Sequence, residues 1–99
     1  MKVYVVGGYQ SLVRGTLAKR LAEHGAEVIG HFDGYNGAHL SIPAEAEAVI
    51  LVKDVASHDL FKRTKAAANE RQIPFACIQR KWAQALPVLQ AAGIVKERS

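Results

Sequence analysis

No apolar stretch in these 99 residues approaches the roughly 20 needed to cross a bilayer; the longest is the short run from Ala48 to Val52. This predicts a protein without a membrane-spanning segment. Met1 to Val6 enter an apolar run directly, without the basic start, long apolar middle and small-residue cleavage site of a signal peptide, which predicts a cytoplasmic location. The single cysteine, Cys77, has no partner for an intrachain disulfide, and within Pro-Phe-Ala-Cys-Ile it reads as a small hydrophobe on a buried strand, an inert thiol. Internal repeats and low-complexity tracts are missing apart from an Ala-Glu alternation at Ala44 to Ala48, so repeat architectures are excluded. Aromatics make up 7% of the chain and scarcely interleave with its basic residues, which argues against a nucleic-acid stacking platform.

What is present fits one domain over 1–99, since compact domains hold about 50 to 250 residues and nothing here reads as a linker. A chain this short buries only about two thirds of its unfolded surface, and a homodimer is expected to add to its core. Thirteen Lys and Arg against nine Asp and Glu leave a net charge of +4. That balance admits an anionic partner without demanding one.

The β-branched and aromatic run Val3 to Val6 predicts a buried strand ended by Gly7-Gly8. Val13, Leu17 and Leu21 then recur at helical spacing up to His24-Gly25, where glycine suits a left-handed cap. A second strand is predicted at Glu27 to Phe32, stopping at Asp33-Gly34, with a loop from Tyr35 to Pro43. Ala48 to Val52 is a continuous apolar run bounded by charge, as in a parallel strand covered on both faces. Ser57 reads as the N-cap of a helix from His58 to about Gln72, with Leu60, Phe61, Thr64 and Ala68 inward and Lys62, Lys65, Glu70 and Arg71 outward. A fourth strand follows at Pro74 to Ile78. The last helix carries Trp82, Leu86 and Leu89, and Pro87 is expected early in it or at a kink.

Right-handed crossovers applied to this series predict an α/β, small Rossmann-like three-layer sandwich with a four-stranded parallel sheet of order 2-1-3-4. The chain reverses between strands 1 and 3, and ligands of such folds bind at that reversal, beyond the carboxyl ends of the strands. Those ends carry Gly7-Gly8-Tyr9, His31-Phe32-Asp33-Gly34, Asp54 through His58, and Gln79-Arg80-Lys81.

Gly7-Gly8 would let backbone amides approach an anion, and Asp33 stands where a ribose-binding acid would stand. The full G-x-G-x-x-G pattern is not there, however, and a tight strand-to-helix turn is the favoured explanation of the glycines. Asp54 ends strand 3, the phosphoacceptor position of receiver domains. The acidic cation holders those domains need after strand 1 are replaced by Gly7-Gly8, so Asp54 reads as a turn residue. Ser57 is better explained as a cap than as a nucleophile, because adjacent Ser57 and His58 on a helix start point apart.

His31 and His58 end strands 2 and 3, which flank strand 1, so their backbones are expected on the order of 10 Å apart at ~4.8 Å per strand. Two inward imidazoles at that separation could share one metal centre above strand 1. Neutral imidazole suits iron, copper, nickel and zinc, and is the usual axial ligand of haem. Asp33 or Asp54 could accept a ring's second N–H. A single histidine near a strand end is more often a hydrogen-bonded structural residue than a ligand, and it is the pair at one edge that favours a ligand. Tyr9, Phe32, Tyr35 and Trp82 fall in or beside the edge loops and could wall a planar ligand.

The ordered set Val5-Val6-Gly7-Gly8, His31-Phe32-Asp33-Gly34, Asp54-Val55-Ala56-Ser57-His58 and Ile73-Pro74 resembles the bacterial domain-of-unknown-function family 2325 over nearly the whole chain. The resemblance implies a Rossmann-like domain and lends no settled activity. Where that family has a serine- and glycine-rich segment after strand 4, this chain carries Gln79-Arg80-Lys81-Trp82.

Three readings result. The leading one is a non-enzymatic sensing or ligand-binding module that holds haem iron or another transition metal through His58, His31 or both, with Gly7, Gly8, Tyr9, Phe32, Asp33, Gly34, Asp54, Ser57 and Arg80 around the ligand. The second is an anion- or nucleotide-binding regulatory domain using the Gly7-Gly8 turn, Arg14, Arg80 and Lys81. The third is a protein-interaction module with a basic face at Lys62, Arg63 and Lys65.

Overall fold

A computed structural model describes residues 1–32, 40–53 and 57–95. Strands β1 (Lys2–Val6), β2 (Glu27–Phe32), β3 (Ala48–Val52) and β4 (Phe75–Ile78) form one sheet in the order β2-β1-β3-β4, with every pairing parallel. This is the architecture of a small Rossmann-like sandwich, as the strand and helix order predicts.

Alternation along the strands sorts the core into two layers. Val3, Val5, Ala48, Ile50, Val52, Ala76 and Ile78 face one side and pack with Val13, Leu17 and Leu21 of the first helix and with Ala85 and Leu89 of α3 (Trp82–Ala91). Tyr4, Val6, Val49 and Leu51 face the other side and pack with Leu60, Phe61 and Ala68 of α2 (His58–Glu70). The β3 run is buried throughout because both its faces are covered.

The first helix is not α-helical from end to end. Leu12–Leu17 form a π-helical segment that continues into α1 (Ala18–Glu23). A four-residue step overshoots a full α-turn by roughly 40°, whereas the wider π turn undershoots it. Combining the two keeps Val13, Leu17 and Leu21, spaced four apart, on one line into the core. Gly15 lies inside the π segment with nothing near its absent side chain, so the wider turn meets no crowding there.

No helix connects β2 to β3 among the described residues. Leu40 and Ile42 lie against the α2-side layer instead, and Arg71 at the end of α2 donates from Nη1 to the Ile42 carbonyl at 2.7 Å. Pro87 falls inside α3 without ending it. Its ring removes the donor that would have served the Ala83 carbonyl, but Pro87 is on the exposed side, where water can serve it instead. α2 ends at Glu70, two residues short of the expected limit, and Gln72 takes φ 57° in the turn that leads to β4.

Candidate functional site

β1 ends in two consecutive buried glycines, Gly7 at φ 79° and Gly8 at φ 85°. Side-chain-bearing residues rarely adopt that left-handed geometry. A Cβ on Gly8 would also stand 3.2 Å from Val13 and 3.5 Å from Val52. The Gly7 N–H donates to the Phe32 carbonyl at 2.7 Å, and the Gly7 carbonyl oxygen lies 2.8 Å from His31 Nε2. A carbonyl only accepts, so Nε2 is the donor in this contact. Both hydrogen-bonding groups of Gly7 are thus engaged by the end of β2, which weakens the case for an anion held by that amide.

His31 does not meet His58. The β1–β2 register pairs Val3 with Val28 but Tyr4 with Gly30, so Ile29 is an extra residue, a bulge. Beyond it, His31 pairs with Val5 and faces α1, where it lines a groove with Arg14, Ala18 and Val28. Gly30 lies under the Tyr4 ring: a Cβ there would stand 2.8 Å from Tyr4 Cε1. Burial pushes the Tyr4 phenol above its ordinary value of 10.0.

His58 opens α2 on the opposite face. Ser57 caps the helix, its Oγ accepting from the Leu60 N–H at 3.0 Å, as the sequence predicts. His58 and Phe61, three apart on one helical face, stack with ring centroids 6.5 Å apart and planes 14° apart. Phe61 in turn meets Phe75 of β4 edge-on at 5.7 Å. An open groove beside these rings is lined by Leu51, Lys53, Ser57, His58, Phe61 and Cys77.

Two of these lining residues, Lys53 and Cys77, escape sequence reasoning. Cys77 is half-buried and borders the groove instead of being sealed in the core. Its signal was the parallel register, which sets Cys77 beside Leu51 on one face of the sheet. Phe61 was legible as an inward residue, and its i,i+3 relation to His58 gives it a second role.

The other expected site residues scatter. Tyr9 is 54% exposed, and Phe32 packs on the α2 side of the sheet. Trp82 packs on the α1 side, 5.5 Å from the His24 ring. These three therefore do not form one roof, and Tyr35, Asp33, Gly34 and Asp54 lie outside the described residues. Arg80 is exposed and, with Gln79, Arg20, Thr16 and Trp82, borders a narrow cleft between α1 and α3. Of the basic face on α2, Arg63 pairs with Asp59 at 2.6 Å.

Among the described residues no three His, Cys, Asp or Glu gather closely enough to hold an ion, and no helix is long and apolar enough to cross a membrane. No curated protein and no solved structure matches the chain. A family model does match residues 2–89. The parallel sheet, the Gly7-Gly8 turn and the capped start of α2 all lie within that span, and the chain belongs to the family described as uncharacterized protein conserved in bacteria (DUF2325).

Proposed function

We propose that the protein is a non-enzymatic ligand-binding or sensing module that takes haem iron, or another transition metal carried in a planar ligand, at the His58 groove. The observation that carries this reading is the exposed His58 imidazole at the mouth of a groove walled by Leu51, Phe61 and Cys77. Neutral imidazole is a common iron ligand. A porphyrin brings four nitrogens of its own and asks the protein for an axial donor, whereas a bare ion asks for three or four. A single imidazole therefore suits the former. The apolar walls fit a flat aromatic face, and the Lys53 ammonium at the rim fits a propionate. His31, with Nε2 held by Gly7, is the lesser candidate. A cytoplasmic location belongs to the same reading.

Titrating the purified protein with haemin and following the visible spectrum tests this. A saturable shift of the Soret band is expected for the wild type and for His31→Ala, and its loss for His58→Ala. An identical titration of the wild type and His58→Ala would overturn the assignment.

The anion reading has one observation in its favour, the pairing of Arg20 and Arg80 along the α1–α3 cleft. Thermal stabilisation by nucleotides that disappears in Arg80→Ala is its expected sign.

A further inference from the structure

The nine acidic residues of the chain are unevenly placed: none lies between Tyr9 and Ala22 or between Gln72 and Val95. Those stretches supply the first helix and α3, which cover one side of the sheet. Five of the thirteen Lys and Arg lie within them, Arg14, Lys19, Arg20, Arg80 and Lys81, all exposed. Glu23, the last residue of α1, is the one acid on either helix of this layer. On the opposite side, α2 mixes Lys62, Arg63 and Lys65 with Asp59 and Glu70, an ordinary solvated face.

These cations have little to neutralise them. Among the described residues Arg14, Lys19 and Lys81 take part in no ion pair, and Arg20 has a long contact with Glu23 at 3.9 Å. They also form a band across the layer. Arg14 lies on the flank of the first helix toward β2, beside Ala18 and His31. Arg20 lies on the flank toward α3, with Thr16 and Gln79. Lys19, two steps of roughly 100° from the inward Leu17, points away from the sheet, and Lys81 stands beyond the cleft at the start of α3.

A helix with its side chains is about 10–12 Å across, and the band runs from one flank of the first helix over its outer side to the next helix. A small anion held in the α1–α3 cleft reaches only part of that span, whereas a polymer of phosphates reaches all of it. Gly15 is exposed with open space around its absent side chain, which lets a backbone approach between Arg14 and Lys19. Thr16, Gln79 and Gln84 add uncharged hydrogen-bonding groups of the kind that meet phosphate and sugar oxygens.

We infer that this face binds the sugar-phosphate backbone of a duplex nucleic acid without reading its bases. Charge complementarity selects the partner: a duplex carries one negative charge per roughly 1.7 Å of its axis, and the face meets it with cations and almost no carboxylate. Tyr9 and Val88 are the large apolar residues exposed on this layer. One exposed ring gives no platform for stacking the bases of a single strand, and two apolar side chains give little to bury in a lipid surface. The face lies on the opposite side of the sheet from the His58 groove and is independent of what that groove holds.

Fluorescence anisotropy of labelled duplex DNA, titrated with the full chain between roughly 50 and 200 mM salt, tests this. The wild type is expected to bind duplexes of unrelated sequence alike, with affinity that falls as salt rises. Arg14→Glu/Lys19→Glu is expected to weaken binding and to flatten the slope of log K against log salt by about 2, one for each phosphate contact removed. Lys62→Glu/Lys65→Glu on α2 is the control. Each double reversal lowers the net charge from +4 to 0, by two for each residue, so a face-specific site is lost in the first and kept in the second. All four positions are exposed, and unchanged melting temperatures are expected. A wild type that binds no duplex at the lowest salt would overturn the proposal. So would equal losses in the two variants, which would reduce the effect to net charge, or binding to phosphatidylserine vesicles without binding to duplex, which would assign the face to a membrane.

Discussion

The His31 imidazole and the Gly7 carbonyl oxygen, 2.8 Å apart, lock the end of β2 onto the turn that leaves β1. With the Gly7 N–H bonded to the Phe32 carbonyl, this makes His31 a positioning residue for the Gly7-Gly8 turn. His31→Ala is expected to lower stability by roughly 1–3 kcal/mol, the cost of leaving a partly buried polar group unpaired. Urea unfolding measures that loss, and a cost near zero would show that water replaces the imidazole.

Gly30 is required by the Tyr4 ring above it. Gly30→Ala would force a Cβ to 2.8 Å from Tyr4 Cε1, and Tyr4, only 9% exposed, has little room to withdraw. A destabilisation of about 1–3 kcal/mol is expected, the usual scale for overpacking. In the background of Tyr4→Leu the same substitution should cost less, and a double-mutant cycle by denaturant unfolding measures the coupling.

The buried Tyr4 phenol sets an alkaline limit. Its folded value lies above 10.0 through desolvation. As pH rises past 10, the unfolded chain releases the proton while the folded chain still holds it. Tyr4 therefore contributes stability that is full below pH 10 and is lost as pH climbs toward the folded value. Thermal melts between pH 8 and about 11 should fall more steeply for the wild type than for Tyr4→Phe.

Ser57 holds the first turn of α2, on which His58 rides. Ser57→Ala is expected to cost about 1 kcal/mol. It should weaken haemin binding without abolishing it, whereas Ser57→Asp, which can also cap, should restore both. Chemical denaturation and the visible titration read the two effects separately.

Much of the fold was legible because its signals are local. The apolar run Ala48–Val52, the glycines after β1, the Ser57 cap and the four-residue spacing of Val13, Leu17 and Leu21 each report a backbone preference that neighbouring residues enforce. The candidate site was legible as a sheet edge and much less as an arrangement. Cys77 joins the groove through a strand register, and Trp82 and Phe32 separate because they sit on opposite faces.

The two histidines show where that boundary lies. The amino-acid sequence by itself placed both at strand or helix ends on the carboxyl edge, since hydrophobic patterning, turn glycines and the cap act over a few residues. Strict alternation from Val28 would have turned His31 toward the α2 side, where His58 stands. The extra residue at Ile29, with Gly30 fitted beneath the Tyr4 ring, shifts the register by one and turns His31 to the other face. Side chains alternate with a period of two, so a single bulge reverses every position beyond it. That bulge depends on how the Tyr4 ring packs across the strands, a contact formed only once the chain has folded.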